Sequence, residues 1–480
     1  MYLALCSLLP ILASALLWFL RFPKRLYKLI YVEAVTILTS ISVFIAILSK
    51  NAGTVEIFRI SDQFVLSFGL DGASSVFIGL AALLWPFASL YAFEYMHHEK
   101  REGKFFVFYT LCYGVTILLS AANNLFTMYV FYECLSLVTI PLVEHGQDKE
   151  SFRAARTYMI YLIGGASLGF AALVMVNSHH ADPFLLGGIM DEGAREILTL
   201  RLSYAFAFLG FAAKAAVFPL CRWLPKASVA PTPVTALLHA VAVVNAGVYA
   251  VMRITYYVYG PNFMAGTYIQ SILLVMTAFT VAYGAIRAVR ESHFKRRLAW
   301  STVSNLSYML SALMLMTAGG MAAALTHMVF HGLMKIVLFF TAGAVLVCTG
   351  KTRVRELHGL AKHMPVTFAA FVISGLALTG LPPLCGFFSK YMLIDEMLAF
   401  GSWQGIMCAC ALIVSAICTA VYIFTVAIPA YFFAPAGDLK GNLDPHLPMK
   451  FVLIALTVLI VIVSLNSGRI MDAMRVIAGL

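Results

Sequence analysis

The sequence predicts an all-α polytopic membrane protein of about fourteen transmembrane helices. Three observations lead there. Of 480 residues, 61% are hydrophobic and 11% charged, against roughly 45–50% and 25% in ordinary soluble domains, so polar surface is too scarce to coat a soluble globule. Apolar runs of about the ~20 residues that a spanning helix needs recur from one end of the chain to the other. The ~10-residue alternation of lipid-facing barrel strands is absent, which leaves a helical bundle.

The runs fall near 2–20, 27–49, 70–93, 105–121, 125–143, 157–177, 200–220, 232–258, 267–288, 298–318, 320–347, 365–399, 405–430 and 449–468. We number them spans 1 to 14 of a single transmembrane domain. The first lacks a basic leader region and a clear small-residue cleavage site, so it reads as a retained span and not as a removed signal. The longest polar connections, around 94–104, 144–156 and 178–200, are too short to hold a soluble domain of ~100 residues.

The formal charge of +11 comes from 33 Lys and Arg against 22 Asp and Glu. No aromatic-interleaved basic stripe accompanies it, so a nucleic-acid partner is not indicated, and the surplus reads as a topology signal. Connections after odd-numbered spans carry Arg21, Lys24, Arg25 and Lys28, then Lys100, Arg101 and Lys104, and so on through Arg222, Lys226, Lys295, Arg296, Arg297, Arg353, Lys440 and Lys450. The other side has only Lys50, Arg59, Arg195, Arg201, Arg253, Arg469 and Arg475. By the positive-inside rule the first set is cytoplasmic, in a cell (inner) membrane, and both termini lie outside.

Turn chemistry interrupts two spans at membrane depth. One site is Ala216-Val-Phe-Pro-Leu-Cys221 in span 7, the other Thr379-Gly-Leu-Pro-Pro-Leu-Cys-Gly386 in span 12. Proline removes a backbone donor and clashes with the preceding turn, so both helices should break. The sites lie five spans apart, and a repeat of five spans, an odd number, inverts its topology. Broken helices at matching places in two inverted halves point to an ion pathway near the midplane. The first unit would be spans 4–8, about 105–258, and the second spans 9–13, about 267–430, after spans 1–3 (about 1–94) and before span 14.

Charges within apolar runs cost roughly 2.5–3.5 kcal/mol each on insertion scales and need a partner or a hydrated cavity. Glu133 stands mid-span in span 5, Lys214 just before the break of span 7, Lys335 mid-span in span 11 and Lys390 after the break of span 12. A static buried ion pair is one reading of Glu133 and Lys214. The other is proton handling, because burial and mutual attraction act in opposite senses on the proton occupancy of such a pair. Span 11 reads His327-Met-Val-Phe-His331-Gly-Leu-Met-Lys335, whose spacings of four put three titratable groups on one helix face. Histidine suits a relay between waters, and His239 of span 8 has the same reading. A metal role for the His327 and His331 pair lacks an acidic base and a third ligand. Glu33 in span 2 and Asp395-Glu396 in span 12 read as charges nearer the membrane ends. Gly165 and Gly169 form a G-x-x-x-G suited to close helix packing.

The nine cysteines show no C-x-x-C and no ferredoxin spacing, and neither a P-loop nor a dinucleotide fingerprint is present, so no cofactor or metal is expected in this chain.

Lys214-Ala-Ala-Val-Phe-Pro-Leu-Cys-Arg-Trp-Leu-Pro-Lys-Ala-Ser-Val-Ala-Pro-Thr-Pro-Val, then Leu238-His-Ala-Val-Ala-Val-Val-Asn-Ala-Gly-Val-Tyr, Lys295-Arg-Arg-Leu-Ala-Trp-Ser-Thr-Val-Ser-Asn-Leu-Ser-Tyr-Met and Gly386-Phe-Phe-Ser-Lys390 stand in this order along the chain. Together they resemble the antiporter-like, proton-translocating membrane subunits shared by respiratory complex I, Mrp cation/proton antiporters and membrane-bound energy-converting hydrogenases. The resemblance implies fourteen spans with inverted repeats at spans 4–8 and 9–13. It also implies proton transfer by Glu133, Lys214, His239, His327, His331, Lys335 and Lys390, with iron–sulfur or nickel–iron centres in partner subunits. Other membrane subunits and a peripheral redox module would be the partners. Some family members carry Lys where Asn245 stands here. The chain also ends soon after span 14, as in the shorter members.

Overall fold

The computed structural model describes residues 2–49, 53–62, 64–176, 182–190, 197–435 and 441–480. Lys50, Arg195 and Lys440, three of the charges used for topology, lie outside the described residues. Every apolar run predicted from the sequence coincides with a helix or an interrupted helix. Helices α1 (Tyr2–Phe19), α2 (Arg25–Leu48), α3 (Gly72–Tyr95), α4 (Glu102–Ser120), α5 (Leu125–Val143) and α6 (Lys149–Val176) lead into α7 (Ile197–Ala212). There follow the short α8 (Trp223–Ala227), α9 (Thr232–Ala240), α10 (Val243–Arg253), α11 (Pro261–Met264), α12 (Tyr268–Arg290), α13 (Phe294–Leu313) and α14 (Ala318–Thr349). The chain closes with α15 (Pro365–Thr379), α16 (Cys385–Ala399), α17 (Trp403–Phe432), α18 (Leu447–Leu465) and α19 (Ser467–Ala478). Among the described residues ten helices are long and apolar enough to cross a membrane, with shorter apolar helices at Cys6–Phe19, Ile197–Ala212 and Pro365–Thr379.

Burial follows the lipid solvent and not water. α2 exposes Ile30, Ile37, Ile41, Phe44 and Leu48 while burying Thr36, Thr39 and Ser40, the arrangement expected when hydrocarbon surrounds the bundle and polar groups must find partners inside it. α9, α10 and α14 form the centre, and the Thr232–Tyr259 stretch is buried throughout its most apolar window. The G-x-x-x-G of α6 packs on α7 as expected: a Cβ on Gly210 would lie 2.5 Å from the Gly169 nitrogen, and one on Gly165 would lie 2.5 Å from the Ala213 Cβ.

Both predicted breaks are present. α7 stops at Ala212 and turns occupy the chain to Arg222, with Ala216 at φ 56°. α15 stops at Thr379, and α16 starts at Cys385 after a turn that includes Gly380 at φ 91°. Each break carries a cis proline, Phe218-Pro219 in one and Pro382-Pro383 in the other.

The sequence reading did not anticipate several features. Span 8 is itself interrupted, α9 ending at Ala240 and α10 starting at Val243, then passing into a π-helical turn over Ile254–Tyr259. A short antiparallel hairpin, β1 (Val55–Arg59) with β2 (Val65–Phe68), joins α2 to α3. Glu33, which the sequence suggests lies nearer a membrane end, stands in the third turn of α2, where its carboxylate accepts a hydrogen bond from Ser89 Oγ at 2.6 Å. Arg253 and Lys295 are not solvated loop charges. Arg253 is 1% exposed and ion-paired to Asp71, the N-cap of α3, with Nη2 2.8 Å from Asp71 Oδ1. Lys295 is 7% exposed and donates to the Ala230 carbonyl at 2.8 Å.

Candidate functional site

The seven predicted titratable residues occupy two groups. In the first, Lys214 follows the last turn of α7 and is completely buried. Its ammonium donates to the Tyr132 carbonyl and lies 3.3 Å from the centroid of the Tyr132 ring, so a backbone dipole and an aromatic face replace its hydration. The Tyr132 hydroxyl in turn donates to the Phe211 carbonyl at 2.8 Å, fastening α5 to the end of α7. The unwound segment is held by Trp223 Nε1, which donates to the Ala213 carbonyl at 2.9 Å. α10 lies against it so closely that a Cβ on Gly247 would stand 2.4 Å from the Ala215 nitrogen.

Glu133, adjacent to Tyr132 on α5, is half-buried, and its Oε1 is buried without a hydrogen-bond partner. Glu133 and Lys214 act on each other through space. They do not form a closed ion pair, since the ammonium hydrogen-bonds to the Tyr132 carbonyl instead. The static salt bridge considered from the sequence is therefore not the arrangement present.

The second group runs along α14. His327, His331 and Lys335 share one face and are all 0% exposed. Lys335 donates to the Leu298 carbonyl at 3.0 Å and to the Ser301 hydroxyl, both on α13. His327 sits 3.0 Å from Ser389 Oγ through Nδ1 and 3.3 Å from Asn305 Oδ1 through Nε2, so both ring nitrogens are engaged and chelation of a metal is disfavoured. His331 lies 5.9 Å from His327 between ring centroids, and both its nitrogens are buried without partners. Lys390 on α16 donates to the carbonyls of Leu378 and Thr379 at 2.8 and 3.1 Å. It thus caps the negative end of α15 across the break.

His239 stands at the end of α9, its ring 4.7 Å from that of Phe339 on α14, with both nitrogens buried and unpartnered. It lies within electrostatic reach of Lys335 and Lys295, and His331 lies within reach of Lys335, His327 and His239. His239 therefore belongs to the second group in space, although it precedes that half in sequence. Among the described residues no hydrogen bond joins it to Lys214. Asn245 spans the interruption of span 8: its Nδ2 donates to the Ala240 carbonyl at 2.8 Å, and its Oδ1 has no partner.

Sequence reasoning missed Ser301, Asn305 and Ser389, the polar side chains that hold Lys335 and His327. Ser301 and Asn305 belong to a run of small polar residues inside span 10, and Ser389 directly precedes Lys390; in the sequence both stretches stand only as parts of a family motif. At the end rich in Arg and Lys, a cavity of about 610 Å³ is lined by Arg153, Lys226, His293, Lys295, Arg296 and Arg353 among others. Burial and the neighbouring Arg296 and Lys295 push His293, in the α12–α13 connection, down to about 4, so it is uncharged at neutral pH.

Fold and site define a multi-pass helical membrane protein whose interior holds a file of buried bases and acids beside interrupted helices. Residues 122–417 match the model of the NADH:quinone oxidoreductase/Mrp antiporter transmembrane family, and the chain belongs to that family. It is 35% identical over 367 residues to NADH-quinone oxidoreductase subunit N of Desulforudis audaxviator, covering 74% of this chain and 69% of the relative. To subunit L of the Mycobacterium tuberculosis oxidoreductase it is 32% identical, over 76% of this chain and 58% of that one. A putative antiporter subunit of Staphylococcus saprophyticus is 31% identical over 81% of this chain and 51% of its own length. Among solved structures, a chain of the membrane-bound sulfane sulfur reductase, an archaeal respiratory membrane complex, superposes with a TM-score of 0.87 at 21% identity, covering 99% of this chain and 97% of the other. A chain of the Mrp complex from Dietzia sp. does so with 0.84 at 20% identity, covering 99% and 96%.

Proposed function

We propose that this chain is one proton-translocating subunit of a larger, redox-driven membrane complex of the complex I or energy-converting hydrogenase kind, with protons or Na+ as the coupled ion. The carrying observation is that Lys214, Lys335 and Lys390, all 5% exposed or less, have no closed ion pair among the described residues and are solvated by carbonyls, hydroxyls and a ring. Such groups exchange protons without first breaking a salt bridge. In this reading Glu133 and Lys214 form the coupling pair, His239, Lys335, His331 and His327 relay, and Lys390 exchanges protons with the outer side. The fold is read as fourteen spans with inverted repeats at spans 4–8 and 9–13, both termini outside a cell membrane. Electron transfer belongs to partner subunits with iron–sulfur or nickel–iron centres, carried on a peripheral module beside other membrane subunits.

A second reading, a subunit of an Mrp-type Na+/H+ antiporter, draws support from the 31% identical antiporter relative. A third makes the chain a non-conducting scaffold. Mass spectrometry of proteins that co-purify in mild detergent separates the first two, because metal-cluster subunits fit only the redox complex. Proton uptake by everted vesicles tests the third. If Lys214→Ala and Glu133→Gln leave coupled uptake unchanged in an assembled complex, the chain does not conduct.

A further inference from the structure

The bundle end rich in Arg and Lys gathers its cations around two neighbouring clefts. The larger, about 610 Å³, carries Arg153 of α6, Lys226 of α8, Lys295 and Arg296 of α13 and Arg353 of the α14–α15 connection, against the carboxylates of Glu150 and Glu291. The smaller, about 260 Å³, shares Lys226, Arg296 and Glu291 with it and adds Arg222 and Arg287. Cations placed only to orient a chain in its membrane need nothing beyond the water at that end. Here they converge from elements far apart in the sequence, in excess over the two acids, and like charges brought together repel. Among the described residues none of these cations takes part in an ion pair. The buried member is Lys295. It is 7% exposed and donates to the Ala230 carbonyl, which leaves two of its three N–H groups for another acceptor.

Toward the membrane interior the smaller cleft changes character. Tyr283 and Trp300 line it, with ring centroids 5.7 Å apart and the Arg287 guanidinium 5.0 Å from the Trp300 ring, the mixture of aromatic and basic groups found where a bilayer meets water. Tyr283 shares one face of α12 with Ile272, Val275, Phe279 and Ile286, and each of those four is at least 38% exposed. Phe218, in the unwound segment after α7, packs on Phe279 and Tyr283 at 4.9 and 5.6 Å and borders this apolar lane. From Ile286 to Ile272 the lane runs about 21 Å at 1.5 Å per residue, against ~15 Å for half of a ~30 Å hydrocarbon core. An acyl chain of one leaflet therefore finds apolar surface along its whole length.

We infer that the paired clefts seat the headgroup of an anionic phospholipid, its phosphate held by Lys226 and Arg296 in the wall the two clefts share and its acyl chains laid along the exposed face of α12. Guanidinium forks and ammonium donors match phosphate oxygens, and basic pockets between spanning helices are where such headgroups bind. The larger cleft falls within the roughly 300–1,000 Å³ of clefts that hold small ligands. An acidic loop of a partner protein would answer the charge and leave the lane on α12 uncovered, whereas a phospholipid answers both. Arg222 and Lys226 stand at the two ends of α8, so a bound headgroup ties the unwound segment after α7 to α12 and α13. The site is independent of whether the chain moves protons.

The test is binding of phosphatidylglycerol with a fluorescent acyl chain to the intact complex, purified and washed free of lipid in mild detergent. Binding is expected to saturate, with phosphatidylcholine a far weaker competitor and inorganic phosphate unable to displace the probe. Lys226→Ala combined with Arg296→Ala is expected to weaken binding about thirtyfold, each cation near the surface counting for roughly a fivefold change. Arg21→Ala combined with Lys24→Ala removes two exposed cations of the α1–α2 connection and is expected to leave binding unchanged. If the first pair assembles poorly, Arg222→Ala with Arg287→Ala takes its place, with a loss of the same order expected. Equal losses in the cleft and α1–α2 variants would reduce the effect to diffuse surface charge and overturn the proposal, as would equal affinity for phosphatidylcholine. Displacement by inorganic phosphate would assign the clefts to a free anion, and crosslinking of an acidic partner segment into them without saturable lipid binding would assign them to a protein; either result overturns the lipid site.

Discussion

The two groups of buried titratable residues solve the same problem differently. Around Lys214 the partners are few: a carbonyl, an aromatic face and, at a distance, the half-buried carboxylate of Glu133. Around Lys335, His327 and Lys390 they are many: the hydroxyls of Ser301 and Ser389, the amide of Asn305 and the carbonyls of Leu298, Leu378 and Thr379. A charge steadied chiefly by one movable opposite charge responds to where that charge is. A charge steadied by many fixed dipoles is indifferent to any one of them. On the proposed reading, the first group would switch and the second would store and pass protons.

The largest effect that would break this contrast comes from Lys214→Ala, for which coupled proton uptake should fall by about a hundredfold, the scale of losing a positioned acid–base group. Glu133→Gln should cost less, about tenfold, because the carbonyl and ring still hold the lysine. Equal losses in the two variants, measured in the same vesicles, would make the pair a single unit and remove the asymmetry. His331→Leu separates activity from stability. The two unpartnered ring nitrogens cost burial energy, so the purified complex should melt at the same temperature or higher while proton uptake falls. A lower melting temperature would mean that His331 is held by polar contacts and belongs with His327. Ser301→Ala removes one of two partners of Lys335 and should destabilise by about 1–3 kcal/mol, read as a fall in thermal unfolding temperature. The smallest change is expected from Asn245→Ala, which leaves the Ala240 carbonyl free at a cost of about 1 kcal/mol. Unaltered melting there would show that the interruption of span 8 needs no side chain to hold it.

Much of this was readable from residues alone, for a physical reason. Lipid forces spanning helices to be long apolar runs, so their places are written plainly, and a charge inside one is conspicuous because it is expensive. That is how Glu133, Lys214, Lys335 and Lys390 stood out. Proline marked the breaks of α7–α8 and α15–α16 because it cannot continue a helix. The interruption between Ala240 and Val243 was illegible, since neither residue is a breaker and the interruption depends on contacts made after folding. Lys295 and Arg253 were misread because charge runs near span ends look solvated, whereas the Ala230 carbonyl and Asp71 receive them within the bundle.

The bond from Asn245 to the Ala240 carbonyl bears on how such a chain can change over generations. The interrupted backbone asks of position 245 only a side chain that donates a hydrogen bond, and asparagine and lysine both do so. On the proposed reading, a lysine there would place a titratable group between His239 and Lys214, at the cost of fitting a longer, charged side chain where Asn245 is 0% exposed. One position could then set whether the two groups of buried bases communicate, and the packing around it sets what that exchange demands.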